Sequence, residues 1–320
     1  MPPTLADIDR YHPGLPSELR TAIASDAMLD HALGFLSSAG VFEACDLVLK
    51  GGTAARKFRL AEPGRLSFDL DFDGPEGAQQ LVVEALQGAQ WGGFEFSVVE
   101  RRCHHTLISE TPFGFTCAAG LDFSSRGRWE PPQALRFNER RLHEHYDEEL
   151  PTVPVMTVDE TVAEKLSRWQ HDPLIRDLHD LVALHRHLLS PEAVTEMWVL
   201  KCHQAMTAPR SRHPTGARAA EPDTLLTPVA LESLVLDDLV FTQVAHNAAK
   251  PQTVARWLAE FPALFAFTAM IPTTLREVAA DRGAREWEAG QMIDDYRRRA
   301  AERETGHEGA QTPSPDPLTP

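Results

Sequence analysis

Apolar positions follow two different spacings along the chain, and the spacing changes near residue 150. In the first part, apolar and polar residues alternate over residues 69–73, 94–101 and 114–124, which predicts strands because strand side chains alternate between faces. Residues 17–39 and 76–86 instead place apolar residues at helical spacing, and the former predicts an amphipathic helix. This order of elements favours a mixed sheet with helices on one side.

Beyond residue 150 the spacing is helical almost throughout. The predicted helices cover residues 157–169, 173–187, 191–205, 231–249, 253–261 and 285–302. Thr157 and Glu160 form a capping box at the start of the first helix. Asp172 and Pro173 are expected as the N-cap and first residue of the second. Pro262 should end the fifth helix, because proline cannot continue the backbone hydrogen-bond ladder.

Three segments lack a regular pattern. Residues 135–155 are irregular, and we place the boundary between two lobes there. Residues 207–223 are rich in Pro, Arg and Ala and predict a mobile loop, whereas residues 304–320 have the composition of a disordered tail. The sequence thus predicts an α+β protein with a core over residues 1–150, a helical lobe over residues 151–303 and a tail over residues 304–320.

Composition excludes several classes of protein. The chain has 320 residues and no run of eighteen apolar residues, so we expect no membrane-spanning helix. The N-terminus has no charged and apolar leader before a small-residue cleavage site, which favours a cytoplasmic protein. The cysteines lack CxxC spacing, so we expect buried thiols in a reducing compartment rather than a zinc site or disulfides. They are Cys45, Cys103, Cys117 and Cys202.

The net charge of −16 disfavours a simple nucleic-acid binder, which normally presents a basic surface. The distribution of charge matters more than its sum, however, and arginines are locally concentrated. These arginines are Arg101, Arg102, Arg126, Arg128, Arg136, Arg140, Arg141, Arg210, Arg212 and Arg218. They are candidates for contact with an RNA phosphate backbone, although solvated surface charge is an equal alternative.

Residues 47–73 carry the most specific pattern in the chain. A short apolar run ends at Lys50, and Gly51-Gly52-Thr53 then opens a helical segment, whose backbone N–H groups and dipole suit phosphate. The following strand places Asp69, Asp71 and Asp73 on one face. Paired carboxylates repel each other unless a cation lies between them, and Mg²⁺ binds carboxylate oxygens together with substrate phosphates. The pattern therefore predicts a site for a nucleoside triphosphate and its metal ions.

A second pattern lies in the helical part, over residues 157–184. Lys165 and Arg168 are three residues apart on one predicted helix, and Asp177 and Asp180 are three apart on the next. Each pair therefore projects from a single helix face. Such spacing is also common on solvated helix faces. This second pattern therefore indicates a functional site only in combination with the pattern over residues 47–73.

The two patterns together resemble the signature of nucleotidyltransferases with a DNA polymerase β-like core. The first pattern is a strand, Gly-Gly-Thr, a helix and a Ser-x-Asp-x-Asp strand, and the second is EKLxR followed by RDLxD. Within them the chain is similar to the AbiEii/AbiGii toxin family, which includes the MenT-type toxins. The resemblance covers roughly residues 45–190 and implies a polymerase β-type core followed by a helical lobe. Its implied metal ligands for Mg²⁺ or Mn²⁺ are Asp69, Asp71 and, on the later strand ending in LDF, Asp122. Its implied nucleotide-binding groups are Gly51, Gly52, Thr53, Lys165 and Asp180, with Lys165 on the triphosphate and Asp177 nearer the chemistry. Two further candidates for nucleotide contact follow from position: Arg56, for which a solvent-facing side chain is the alternative, and Ser67, for which a bond within the preceding loop is the alternative.

The resemblance also implies a function. It predicts a bacterial toxin that transfers a nucleotide from an NTP to RNA, in characterised members to the 3′ end of tRNA, and blocks translation. A cognate antitoxin would neutralise it, often without a stable complex. Two alternatives remain: a nucleotidyltransferase acting on a small molecule such as a cationic antibiotic, which the acidity favours, and a non-catalytic domain that binds a nucleotide or a partner.

Overall fold

The computed structural model of the chain describes residues 4, 6, 17–60, 66–101, 104–111, 116–125, 127–139, 141–207, 220–227, 229–231, 234, 251–280 and 286–308. Within these residues eight strands form one sheet. They are β1 (Val48–Lys50), β2 (Asp69–Asp73), β3 (Gln90–Trp91), β4 (Phe94–Arg101), β5 (His104–Glu110), β6 (Thr116–Ser124), β7 (Gln133–Arg136) and β8 (Thr152–Val155).

The sheet is mixed, and its order is β3-β4-β5-β6-β2-β1-β8-β7. β2 lies near the centre, antiparallel to β1 and parallel to β6. β8 runs parallel to β1, and β7 pairs with β8 in antiparallel orientation. This arrangement confirms the predicted α+β class with a mixed sheet.

The helices are α1 (Ser17–Ser38), α2 (Val41–Ala44), α3 (Gly51–Ala54), α4 (Ala78–Leu86), α5 (Val158–His171), α6 (Ile175–Leu184), α7 (Pro191–Thr207), α8 (Pro222–Leu226), α9 (Pro251–Leu264), α10 (Thr273–Ala280) and α11 (Glu286–Glu308). α3 continues as a π-helix over Ala55–Arg59. Two apolar clusters organise the described residues. The first joins α1, α2 and α4 to the sheet, and the second joins α5 and α6 to the helices that follow.

Helix α1 forms where the sequence predicts it, but the prediction that it is amphipathic was wrong. Residues 22–34 are buried on every side, including the polar side chains of Asp26, Asp30 and His31. The helix packs against β6, β8 and α4. Its buried carboxylates are neutralised by cations from the segment after α3, which hydropathy alone does not reveal.

The prediction that residues 135–155 are irregular was also wrong, because β7 and β8 lie within or overlap this span. Each strand has only four residues, too few to give a clear alternation. Pro154 is tolerated in β8 because that strand meets β1 only at its end, where Leu49 pairs with Val155. The proposed division of the chain at residue 150 remains a prediction.

Three helix boundaries differ from those predicted. Asp172 is the C-cap of α5, and α6 begins only at Ile175 with Leu174 as its N-cap. Pro262 lies inside α9, where buried Phe261 and Phe265 anchor the last turn by packing together. Helix α11 extends to Glu308, so the prediction of disorder was wrong for residues 304–308.

Other predictions fall wholly or partly outside the described residues. The helix over residues 231–249 and the tail beyond residue 308 lie almost entirely there, as does most of the loop over residues 207–223. The end of that loop is the short helix α8, so the loop prediction was wrong at residues 222–223. In the part of the chain that the structure describes, no helix has the length and apolarity needed to cross a membrane. Cys45, Cys117 and Cys202 are buried free thiols, as predicted, and Cys103 lies outside the described residues.

Candidate active site

Carboxylates from two neighbouring parallel strands lie side by side at the centre of the sheet. Asp71 of β2 is the register partner of Asp122 of β6, and on the other side it pairs with Lys50 of β1. Register partners project from the same face, and so does Asp69, two residues before Asp71. Leu70 occupies the opposite face and is fully buried in the first apolar cluster. Asp73, two residues after Asp71, projects from this face as well. The sheet thus collects four acidic groups and one cation on one face.

Two glycines make room for these carboxylates. Gly51 begins α3 with a φ of +76°, and a Cβ there would lie 1.9 Å from Oδ2 of Asp71. Gly120 of β6 is the register partner of Asp69, and a Cβ there would lie 2.8 Å from Oδ1 of Asp69. The carboxylate of Asp71 therefore rests directly against the backbone that opens α3, as the predicted phosphate-binding loop requires.

Burial, together with nearby negative charge, makes Asp71 a weaker acid than usual. Burial raises the pKa of Asp71 to about 6, and the nearby carboxylates of Asp69 and Asp122 add to the rise, while Lys50 and Lys165 oppose it. Burial likewise raises the pKa of Asp73, which lies deeper and accepts a hydrogen bond from Ser124 Oγ at 3.2 Å. A positive charge beside Asp69 and Asp71 would relieve this repulsion.

The segment that leads into α3 is fixed by Thr53. Its hydroxyl donates to the carbonyl of Asp69 at 2.5 Å, and the side chain is fully buried. The hydroxyl thus ties α3 to β2, which leaves the backbone of this residue, rather than its side chain, for a phosphate. Gly51 and Gly52 are partly exposed at the helix start, and Ser67 is buried just before β2.

Arg56, a candidate for nucleotide contact from the sequence, is engaged by α1 in the structure. The Arg56 guanidinium is 1% exposed and makes a two-point ion pair with Asp26 of α1, at 3.2 and 3.0 Å. Neighbouring Lys57 is equally buried and bonds Asp26 at 3.1 Å and Asp30 at 2.5 Å. Burial would raise the pKa of Asp26, but the two cations outweigh it and lower that pKa. These cations hold the π-helical segment against α1.

Lys165 joins the two halves of the second predicted pattern. Its Nζ lies 2.9 Å from Oδ1 of Asp177 and 2.8 Å from Oδ2 of Asp180, and all three side chains are buried. The two aspartates therefore orient the ammonium group, which is also close enough to Asp71 to affect its acidity. Arg168, one turn further along α5, is 57% exposed with its Nε 3.8 Å from Oδ2 of Asp177.

Four charged residues beside this cluster are not predicted as site residues by the sequence. Lys50 Nζ lies 3.3 Å from both carboxylate oxygens of Glu164, and Lys201 of α7 bonds Glu164 at 3.2 Å and Glu160 at 2.9 Å. Helical spacing places Glu160 and Glu164 on one face of α5, but nothing local indicates the long-range partners of either. The sequence indicates only a helix cap for Glu160. Thr157 does accept from the Glu160 N–H at 3.2 Å, while the Glu160 carboxylate points elsewhere.

The acidic face fits a divalent cation in the manner of Mg²⁺. In the described ranges no three His, Cys, Asp or Glu side chains converge closely enough to form a complete protein cage. Mg²⁺ usually binds through one or two carboxylates, with water and substrate phosphates completing its coordination. Asp69 and Asp71 provide such a pair, and the raised pKa of Asp71 marks a position where positive charge is favoured.

The arginines considered for RNA contact are only partly described. Arg128 pairs with Asp46 at 2.7 Å, and the exposed Arg136 pairs with Glu149 at 2.7 Å. Arg101, at the end of β4, is exposed. The placement of Arg102, Arg126, Arg140, Arg210, Arg212 and Arg218, and of the Arg141 side chain, lies outside the described residues.

Comparison with known proteins places this arrangement in a family. Residues 35–260 match the family described as nucleotidyltransferase AbiEii toxin of type IV toxin–antitoxin systems. The structure is similar to that of MenT4, a nucleotidyltransferase toxin from Mycobacterium tuberculosis H37Rv, with a TM-score of 0.80 and 30% identity over 92% of this chain and 99% of that one. JHP933 from Helicobacter pylori matches over 93% of this chain and 100% of its own at 16% identity, but its TM-score of 0.38 is too low to support a conclusion.

No curated protein sequence matches the chain significantly. The family match covers more than half of the chain, and the similarity to MenT4 extends over nearly all of it. The polymerase β-type nucleotidyltransferase core and the family that the sequence motifs predict are thereby confirmed. The chain belongs to the AbiEii family of nucleotidyltransferase toxins.

Proposed function

We propose that this toxin transfers a nucleoside monophosphate from an NTP to an RNA acceptor, namely the 3′ end of tRNA, and thereby blocks translation. The observation that carries the proposal is the convergence of Asp69, Asp71 and Asp122 on one sheet face. They lie beside the glycine-lined start of α3 and close to Lys165. Acidic groups next to a phosphate-binding loop and a lysine form the arrangement that a metal-bound triphosphate requires.

The proposed metal ligands are the pair Asp69 and Asp71, and the ion is Mg²⁺ or Mn²⁺. Asp122 beside them would share a second ion or act as the general base. When bound, the metal would neutralise the triphosphate and lower the pKa of the acceptor hydroxyl. The strand backbone fixes the direction of Asp69 and Asp71, and the absence of a Cβ at Gly51 and Gly120 leaves room for their carboxylates. Because these carboxylates need no reorganisation to meet a cation, they are ready for the reaction.

The triphosphate is assigned to the start of α3. The first N–H groups of a helix have no partner within the helix, so those of Gly51, Gly52 and Thr53 can donate to phosphate oxygens. Burial of the Thr53 side chain supports this role, because the bond from its hydroxyl to Asp69 fixes the distance between loop and carboxylates. Ser67 is retained as a proposed phosphate contact from the adjoining turn.

The proposed transfer is an in-line displacement. The acceptor hydroxyl oxygen forms a bond to the α-phosphorus, and the bond from that phosphorus to the bridging oxygen of pyrophosphate breaks with its electron pair. Asp122, whose side chain is exposed beside Asp71, accepts the hydroxyl proton. Lys165 balances the charge that develops on pyrophosphate, and Asp177 and Asp180 keep its ammonium oriented.

The expected partners follow from the family. As a member of a toxin–antitoxin system, the protein has a cognate antitoxin, which we propose acts without forming a stable complex. We place the reaction in the cytoplasm, where tRNA and NTPs are available. The choice of tRNA as acceptor rests on the resemblance to MenT-type toxins, and the exposed Arg168 at the edge of the site would face an incoming phosphate backbone.

The direct test is a transfer assay with the purified chain. The protein is incubated with Mg²⁺ and each of the four α-labelled NTPs, together with total tRNA or a panel of cationic antibiotics. The Asp69→Asn variant removes a proposed metal ligand, and Asp295→Asn is a matched control at an exposed position of α11. Label on tRNA with the wild type and with Asp295→Asn, but not with Asp69→Asn, would support the proposal.

Two other outcomes would identify the alternatives. Label confined to an antibiotic would replace tRNA by a small-molecule acceptor. Growth arrest on induction that persists with Asp69→Asn, without any labelled product, would indicate a non-catalytic binding domain. Sequencing of tRNA 3′ ends from arrested cells would then identify the nucleotide added.

A further inference from the structure

One ion pair links the two parts of the active site. Lys50 is the last residue of β1 and directly precedes Gly51, while Glu164 directly precedes Lys165 on α5. The Lys50 ammonium lies 3.3 Å from each carboxylate oxygen of Glu164. We propose that Lys50 and Glu164 are positioning residues that set the separation between the phosphate-binding loop and Lys165. The proposal rests on the proposed transfer reaction and assigns it two residues beyond the motifs.

The pair is anchored by buried residues of the helical part. Lys201 of α7 bonds both Glu164 and Glu160, and its Nζ lies 4.5 Å from the centre of the Trp129 ring. Glu160 is fully buried and accepts hydrogen bonds from the Trp129 N–H at 3.1 Å. Glu164 is therefore held by a cation that is itself held by the interior.

The two residues of the pair are more exposed than the residues that anchor them. Glu160 is fully buried and the Lys201 side chain is 9% exposed, whereas Lys50 is 16% and Glu164 is 32% exposed. The anchoring residues thus lie in the interior of the helical part, and the Lys50–Glu164 pair is the accessible end. Force on the loop or on Lys165 during nucleotide binding would be transmitted through Lys50 and Glu164.

The surrounding charges keep Glu164 ionised, so its ion pair with Lys50 persists at neutral pH. Burial would raise the pKa of Glu164, but Lys50 and Lys201 reverse the effect and hold the pKa at about 2. Lys50 also stands directly opposite Asp71, so its charge is shared between the carboxylates of the sheet and Glu164. Removal of either partner should displace the loop relative to Lys165 rather than remove a substrate contact. Displacement by about 1 Å can lower a reaction rate by about 100-fold.

A double-mutant cycle tests this role. Lys50→Met, Glu164→Gln and the double variant are compared with Arg256→Met, Glu260→Gln and their double, an exposed pair on α9. Transfer kinetics are measured with varied NTP, and thermal melting confirms that each variant is folded. We expect each site variant to lower kcat at least about tenfold while KM for NTP changes less than about threefold. The double variant should be no worse than the poorer single one, and Lys50→Arg should retain most activity.

Hydrogen exchange provides a readout that does not depend on turnover. Amides of Gly51–Ala54 should exchange faster in Lys50→Met and in Glu164→Gln, and at the wild-type rate in the α9 variants. Multiplicative losses in the double variant, a loss confined to KM, or unchanged exchange would overturn the proposal. A wild-type protein without transferase activity would overturn the proposed function as well, whereas fully active variants would overturn only the positioning role.

Discussion

Substitution of Gly51 by alanine, at the start of α3, should reduce the transfer rate far more than it reduces the stability of the fold. An alanine Cβ would lie 1.9 Å from Oδ2 of Asp71, and real Cβ contacts are essentially never closer than 3.0 Å. The Asp71 carboxylate must therefore move by about 1 Å, since the alternative is a shift of the backbone itself. A misplacement of this size at a reacting centre costs about 100-fold in rate, or about 2.7 kcal/mol in barrier height.

Backbone strain contributes separately and can be measured on its own. Gly51 has a φ of +76°, and an alanine in this conformation costs about 1–2 kcal/mol. Gly40 has a φ of +68° with nothing within 4 Å of the position that a Cβ would take, so Gly40→Ala bears similar strain without the collision. Gly120→Ala is a third case, because its Cβ would lie 2.8 Å from Asp69 without positive φ.

The assay combines urea unfolding with label transfer from an NTP. Gly40→Ala should lose about 1–2 kcal/mol of unfolding free energy through backbone strain, and Gly51→Ala should lose at least as much because its Cβ also displaces Asp71. Only Gly51→Ala should also lose about two orders of magnitude in kcat/KM, and Gly120→Ala should fall between them. The reasoning is refuted if Gly51→Ala, corrected for its folded fraction, transfers within threefold of Gly40→Ala.

Three further substitutions test other parts of the structure. Asp26→Asn should cost about 3–5 kcal/mol in urea unfolding, because it leaves the buried cations Arg56 and Lys57 with only the remaining carboxylates nearby. Asp71→Asn should abolish transfer yet raise stability in EDTA by up to about 3 kcal/mol at pH 7.5, since its pKa rises from 3.8 to about 6 on folding. That gain should shrink as the pH falls from 6 toward 3.8, where folded Asp71 takes up a proton first, and pH-dependent melting would follow it. Pro262→Ala should stabilise α9 by about 1–3 kcal/mol in thermal unfolding, because it restores a ladder hydrogen bond.

Each of these expectations has an outcome that contradicts it. A neutral Asp26→Asn would mean that Arg56 and Lys57 are already satisfied without that carboxylate. A destabilised Asp71→Asn in EDTA, or a gain that is constant with pH, would show that Asp71 bears no repulsion in the folded state. Loss of stability in Pro262→Ala would show that the proline ring contributes packing that outweighs the missing hydrogen bond.

Local pattern was sufficient for the central features of the site. Asp69 and Asp71 are two residues apart in a strand, so their common face follows from backbone geometry, and the glycines that open α3 indicate a close approach. Asp122 lies in the LDF motif near the end of a later strand, which suggested that it could share a sheet face with Asp71. The two residues are register partners on neighbouring strands, which fits that expectation. Lys165 and its two aspartates were predicted by spacing and by resemblance, although their mutual contacts were not.

Features that depend on distant partners could not be predicted. Arg56 resembles a surface or substrate-binding residue until Asp26, thirty positions earlier, is known to lie against it. Lys50 and Glu164 are separated by 114 positions, and no local spacing relates them. The four-residue strand β8 gains its structure from β1 and β7, because its own side chains show no diagnostic alternation.

The order of the active groups along the gene has a consequence for the cell that makes this toxin. All eight strands have been synthesised by Val155, yet Lys165 and Lys201 belong to helices that follow. A ribosome that stalls before these helices would release only a fragment with an acidic sheet and no lysine from the helices to face it. Interrupted synthesis should therefore yield inactive fragments, and transfer activity should appear only after the helices that carry Lys165 and Lys201 have been translated.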